Sequence, residues 1–264
     1  MRHRDLRVSH WFAAVLLAVF LPFAQPAYAE RFTIAAAADL RYALDDIAEI
    51  YRERHPEQRF NVIYGSSGKM TTQIINGAPF DVFFSADIAF PERLKEAGLT
   101  TTEPEVYAIG RIVIWSNTLD ASELRLEDLP AAPRIRRIAI AQPAHAPYGL
   151  RAQEAMESAG VWEAVQPRLV FGENIAHTAQ MVESGAANVG IIALSLARFP
   201  ALAEHPHHLI DDALHEPLTQ AYIVTRRAEN NRAAKTFADF MATDEAHGIM
   251  ERYGFVIPGT DAGS

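Results

Sequence analysis

The chain has 264 residues, a formal net charge of −9, 49% apolar residues and no cysteine. That length suits one large domain or two modest ones, with enough apolar residues to bury a core. The acidic balance argues against nucleic acid or an anionic membrane as partner, and the absence of cysteine excludes disulfides and thiolate metal sites.

The first residues read as an export signal. Arg2, Arg4 and Arg7 precede the apolar run WFAAVLLAVFLPFA, which falls short of the roughly 20 residues of a spanning helix. Ala27-Tyr28-Ala29 then offers small residues at the two positions a signal peptidase reads. Residues 1–29 are expected to be a cleaved signal peptide, and the mature chain from Glu30 to be a soluble periplasmic protein. Cleavage removes three Arg and one Asp, so Lys+Arg falls from 24 to 21, Asp+Glu from 33 to 32, and the net charge to −11.

Strand and helix patterns then alternate. RFTIAAAA (31–38) reads as a buried strand. Residues 39–56 carry apolar Leu40, Ala43, Leu44, Ile47, Ile50 and Tyr51 at helical spacing, with Asp39 where an N-cap belongs and Pro56 beyond the end. FNVIYG is a strand and KMTTQIINGA a helix; FDVFFSAD is a strand and IAFPERLKEAGL a helix. VYAIGRIVIWS leads into a second series: RIRRIAIAQP, GLRAQEAMESAG, RLVFGE, NIAHTAQMVESG, ANVGIIAL and the strand LTQAYIVTRR. Two helical runs close the chain. Such alternation predicts an α/β protein of two lobes, each a mostly parallel sheet flanked by helices, with a cleft between them. The expected first lobe is 30–108 plus 226–264, and the second is 109–225.

Ligands of open α/β sheets lie beyond the carboxyl ends of the strands. Four strand-to-helix loops qualify: 36–40, 65–69, 144–149 and 172–175. Each starts a helix, where unpaired N–H groups and the positive dipole end favour an anion without any formal cation. YGSSGKM (64–70) superficially suggests a nucleotide phosphate loop. That motif needs four residues between its glycines and Ser or Thr after Lys. Here two residues separate Gly65 from Gly68, and Met70 follows Lys69. The plain alternative is a tight turn capped by Ser66 or Ser67.

Other constellations are weaker. His205, His207 and His208 near Asp211 and Asp212 suit zinc by ligand type, but Pro206 breaks the spacing and the segment reads as an exposed turn. Asp45, Asp46 and Glu49 read as a solvated helix face. An exported hydrolase or metal-dependent enzyme built on Asp39, Lys69 and His145 is the rival class.

At the cleft loops the sequence resembles the periplasmic molybdate-binding proteins of ABC importers, members of the type II solute-binding family. FTIAAAADLRYALDDIA is similar to that family's opening strand, Ala-rich turn and first helix. YGSSGKMTTQIINGAPFDVFFSAD resembles its serine-rich loop and Gly-Ala-Pro-x-Asp-x-x-x-Ser-Ala-Asp stretch, HAPYGLRAQEAM its Pro-x-Gly helix start, and ERYGF its C-terminal end. The resemblance implies a two-lobed receptor without catalytic residues or cofactor. It would trap molybdate or tungstate on closure, bind no free metal ion, act as a monomer and deliver its ligand to an inner-membrane permease.

The resemblance also implies the site. The family's second serine falls on Ser67, with Ser66 beside it. Its backbone donors fall on Tyr148 and on Ile175, after Asn174, and Lys69 stands near. Two positions depart: the first serine falls on Asp39, and a tyrosine falls on Ala193. An ionised carboxylate accepts hydrogen bonds but donates none. Three readings of Asp39 stand open. It turns away, caps its helix and pairs with Lys69; it accepts a proton carried by a different or protonated oxyanion; or it ligates a cation in a metal-containing ligand.

Overall fold

The computed structural model describes residues 31–259, so the expected signal peptide lies outside the described residues. In chain order the elements are β1 (Arg31–Ala37), α1 (Arg41–Arg54), β2 (Arg59–Gly65), α2 (Ser67–Ile75), β3 (Val82–Ser85), α3 (Ala89–Glu96), β4 (Glu105–Gly110), β5 (Ile112–Trp115) and β6 (Ile138–Ala141). Then come α4 (Pro147–Ser158), α5 (Trp162–Val165), β7 (Leu169–Gly172), α6 (Ile175–Glu183), β8 (Val189–Ala193), α7 (Leu194–Ala197), α8 (Pro200–Ala203), β9 (His207–Leu209), β10 (Leu218–Val224), α9 (Arg232–Phe240) and α10 (Asp244–Arg252).

The strands form two five-stranded sheets, in the orders β2-β1-β3-β10-β4 and β7-β6-β8-β5-β9. Within each, three strands run parallel: β1 with β2 and β3, and β6 with β7 and β8. Each sheet then adds an antiparallel strand delivered by a chain crossing. β10 pairs antiparallel with β3 and β4, and β5 with β8 and β9. The expected lobe boundaries therefore shift. β10 was assigned by order to the second lobe, yet it completes the first sheet, and β4 extends to Gly110. The apolar stretch VYAIGRIVIWS reads as one run, but the chain leaves the first sheet at Gly110 and enters the second at Ile112.

The two cores differ in character. In the first lobe Phe32 and Phe60 stack with centroids 5.0 Å apart, and Phe237 of α9 lies 4.9 Å edge-on from Tyr51 of α1. α9 earns its place through a one-sided apolar stripe of Ala233, Ala234, Phe237, Ala238 and Phe240, with Asn231 capping its start by accepting from the Ala234 N–H. The second core is mostly branched aliphatic: Ile112, Ile114, Ile138, Ile140, Ile191 and Ile192 are all essentially inaccessible. Such residues suit strands covered on both faces.

One expectation about α1 fails. Asp39 sits in a single 3₁₀ turn (Ala38–Leu40) ahead of the helix, and neither the turn nor α1 has a side-chain cap. The carboxyl is engaged elsewhere, across the cleft.

Phe237 is fully buried against both β1 and α1. Phe237→Ala is expected to cost about 3–5 kcal/mol, read as a lower urea midpoint. A loss below 1 kcal/mol would show that α9 does not build the first core.

Candidate functional site

Where the two lobes meet, a small cavity is walled by Ala37, Ala38, Asp39, Gly65, Ser66, Ser67 and Ala86 on one side, and by Ala146, Pro147, Tyr148, Asn174 and Ile175 on the other. The space is tight, with room for little more than one water-sized group, far below a drug-sized pocket. It lies beyond the carboxyl ends of β1, β2, β3, β6 and β7, as the topology requires.

Three helices start on this cavity. Ser66 is the extended N-cap of α2, and Ser67 its first residue. Pro147 opens α4 with a backbone angle already suited to a helix, and Tyr148 follows. Asn174 caps α6 by accepting from the His177 N–H at 2.9 Å, which places Ile175 first in the helix. First-turn N–H groups have no acceptor within their own helix, and the dipole there is positive.

The two serines divide their work. Ser67 Oγ accepts from the Ala86 N–H at 3.0 Å, which leaves its own hydrogen for the cavity. Ser66 Oγ donates to the His145 carbonyl at 2.5 Å and lies 2.8 Å from His145 Nδ1. One hydroxyl has one hydrogen, so Nδ1 carries the proton of the second bond. Burial and then Lys69 hold the His145 pKa below its ordinary value, which keeps the ring neutral at neutral pH. The Gly68 N–H donates to the same carbonyl at 3.0 Å. A Cβ on Gly68 would stand 2.7 Å from that oxygen, so only glycine allows this approach of the lobes.

Asp39 is 1% exposed. Its Oδ2 accepts from Tyr148 Oη at 3.0 Å and from Gln220 Nε2 at 2.7 Å. Gln220 is held in turn by Tyr107, whose hydroxyl donates to Gln220 Oε1 at 2.6 Å. Ser195 donates to the Asp39 carbonyl at 2.8 Å. The other carboxyl oxygen, Oδ1, is buried without a hydrogen-bond partner. Burial pushes the Asp39 pKa up to about 6, against the opposing pull of Gln220, Tyr148 and the neighbouring amides of Asp39 and Leu40. Burial also raises Tyr148 and Tyr107 well above the ordinary phenol range, and the Asp39 charge adds to this, so both stay protonated donors.

Of the seven residues singled out from sequence, six line the cavity: Asp39, Ser66, Ser67, Tyr148, Asn174 and Ile175. Lys69 does not. It pairs with Glu173 at 3.0 Å across the cleft mouth, where both side chains are largely exposed. The expected Asp39–Lys69 pair is thereby corrected, and helix geometry gives the reason. α2 buries Ser67, Met70, Thr71 and Ile74; a residue two positions beyond Ser67 points to the opposite side. Ala193 is fully buried at the end of β8 and is absent from the cavity wall.

Sequence reasoning missed Gln220 and Tyr107, and weighed His145 only as an enzyme group. It also missed the lobe-to-lobe ion pair of Arg151 and Asp87 at 3.1 Å, whose side chains are 10% and 17% exposed. One signal was present: Gln220 is an amide side chain in the middle of the mostly apolar strand LTQAYIV. Among the described residues no group of three or more His, Cys, Asp or Glu could hold a metal ion. The histidines at 207 and 208 belong to the short edge strand β9.

Comparison with known proteins agrees with this architecture. The family described as bacterial extracellular solute-binding protein matches residues 32–256. The molybdate-binding protein ModA of Rhodobacter capsulatus is 32% identical over 92% of this chain and 95% of its own length. That of Azotobacter vinelandii is 31% identical over 87% and 91%. The solved structure of the Azotobacter vinelandii periplasmic molybdate-binding protein superposes with a TM-score of 0.79 at 29% identity, covering 86% of this chain and 99% of that one.

The Asp39 carboxyl gives a pH test of stability. Its folded pKa of about 6 exceeds the ordinary 3.8, so the folded state binds the proton more tightly. Stability falls as pH rises from about 4 to 6 and is then level, the full cost being up to about 3 kcal/mol. Asp39→Asn should raise the melting temperature at pH 7.5, with the gain shrinking steadily toward pH 4. An unchanged melting temperature at pH 7.5 would contradict a charged, buried Asp39.

Proposed function

This chain belongs to the bacterial extracellular solute-binding protein family, and on that premise we propose that it captures molybdate or tungstate between its lobes for import by an ABC transporter. The family is one of binding proteins rather than enzymes, so the reading as an exported hydrolase is set aside. The observation that carries the proposal is the cavity itself. It is small, lies between the lobes at the starts of α2, α4 and α6, and Ser67 has a hydrogen to give.

In this reading the mechanism is binding alone. The ion is held by the Ser67 hydroxyl from one lobe and by the first-turn N–H groups at Tyr148 and Ile175 from the other. Donors on both lobes mean that the ion stabilises the closed arrangement over any open one, which is a population shift rather than a forced motion. The direct contacts of Ser66 and Gly68 with His145, and of Arg151 with Asp87, add to the closed arrangement from the protein side. The closed form is what a membrane permease would recognise. Export to the periplasm through a cleaved signal peptide fits this role.

The test is a thermal-shift series on the mature chain with molybdate, tungstate, sulfate and phosphate. At one hundred times the dissociation constant, a bound ion stabilises the fold by about 2.7 kcal/mol. Molybdate and tungstate are expected to raise the melting temperature at lower concentrations than the other two. No response to any tetrahedral oxyanion would overturn the reading. Ser67→Ala should weaken molybdate binding tenfold or more, since a hydrogen bond to a charged group contributes about 1.5–3 kcal/mol.

A further inference from the structure

The proposed binding mode leaves one polar atom of a cavity-lining residue without a use. Asp39 lines the wall, is 99% buried, and offers Oδ1 with no hydrogen-bond partner among the described residues. Every other polar group assigned to the ion is a donor. An anion whose oxygens are all acceptors would set lone pairs against Oδ1, and negative charge against negative charge.

No cation among the described residues resolves this conflict. Arg41 follows on the same segment, but its guanidinium lies over the Tyr64 ring at 5.0 Å. Lys69 is held by Glu173, and Arg151 by Asp87 and Glu154. On α4 and its leading loop the titratable neighbours are Tyr148 and the neutral His145. The first sheet contributes Tyr107 from β4 and the amide of Gln220 from β10. Of the helices packed on the Asp39 turn, α6 carries His177, bonded to the Glu173 N–H, and Glu183 at its far end; α7 brings only the Ser195 hydroxyl. The amides of Asp39 and Leu40 pull on the carboxyl, but no donor makes a well-formed hydrogen bond to Oδ1.

We propose that Asp39 makes ion capture proton-linked: each doubly charged oxyanion enters with one solvent proton, held between Oδ1 and a ligand oxygen. This rests on the oxyanion reading above and deepens it. The balance is simple. A carboxylate of charge −1 and an ion of charge −2 take up one H⁺ and become a pair of total charge −2. One O–H bond forms and none breaks apart from release of the proton by solvent. A neutral carboxyl donating to the dianion and a carboxylate accepting from the protonated monoanion are the same bound composition. Burial already disposes this carboxyl to hold a proton near neutral pH. Asp39 is then a specificity residue, favouring tetrahedral oxyanions basic enough to share a proton over weakly basic ones such as sulfate.

The test is calorimetric titration of the mature chain with micromolar molybdate at pH 7.5, in two buffers of different ionisation enthalpy. About one proton taken up per ion is expected, with a dissociation constant that rises toward tenfold per pH unit between about pH 7 and 9. Asp39→Asn should still bind molybdate, with proton uptake near zero and a flat pH profile. His145→Gln should keep the uptake, which separates the two titratable groups. Should Asp39→Asn fail to fold, Asp39→Ser provides the same readout. Wild-type binding without proton uptake overturns this inference and leaves the oxyanion reading standing, as does uptake that survives at Asp39→Asn. No binding of molybdate, tungstate, sulfate or phosphate overturns both.

Discussion

The chain passes between its two sheets twice, once at Arg111 and once over residues 210–217, and the rest of the molecule depends on that constraint. Each passage delivers an antiparallel strand to the sheet it enters: β5 to the second, β10 to the first. The passages are tied to each other, since Arg111 pairs with Asp212 at 2.9 Å and the Ile210 N–H donates to the Ile112 carbonyl at 3.1 Å. A pair of short, linked crossings fixes which ends of the sheets face one another. The parallel strands of both lobes then present their carboxyl ends to one cleft, and the helices that follow them start there.

Close to those crossings lies the most constrained part of the cleft. A Cβ on Gly110, the last residue of β4, would stand 2.3 Å from Tyr148 Oη and 2.6 Å from Gln220 Nε2. The chain can leave the first sheet at this point only because nothing projects from Gly110 into the polar chain of Tyr107, Gln220, Tyr148 and Asp39. That chain joins strands of one lobe to a helix of the other, in surroundings where an unpaired polar group costs about 1–3 kcal/mol. The exposed Lys69–Glu173 pair at the mouth contributes much less, because water screens it. The relative position of the lobes is set by buried hydrogen bonds and by the largely buried Arg151–Asp87 pair, more than by charge at the rim.

The strand–helix alternation, the apolar stripe of α1 and the two closing helices were legible in the sequence because they depend on local spacing. So were the loops at 65–69, 144–149 and 172–175, because a strand followed by a helix N-terminus is a contiguous pattern. Ser66 and Ser67, singled out from that pattern, lie on one wall of the cavity. What spacing could not say is which of two adjacent hydroxyls faces the cavity; a carbonyl 79 residues away, on His145, takes the hydrogen of Ser66. Nor could it assign LTQAYIV to a lobe, since a strand next to the second lobe in sequence completes the first sheet.

The sequence by itself determined that Asp39 stands on a turn leading into a helix, in an acidic chain; that a donor is expected there is what the family resemblance implies. It also fixed the apolar patterns that make two α/β lobes inevitable. Only the tertiary structure decided what Asp39 meets. Lys69 is carried to the far side of α2 by helical rotation, so the cation of the serine loop is unavailable. Tyr148 and Gln220, separated from Asp39 by 109 and 181 residues, converge on Oδ2 and leave Oδ1 bare. A carboxyl's charge depends on the partners and the water around it. Both are set by contacts between lobes, which no local stretch of the chain encodes.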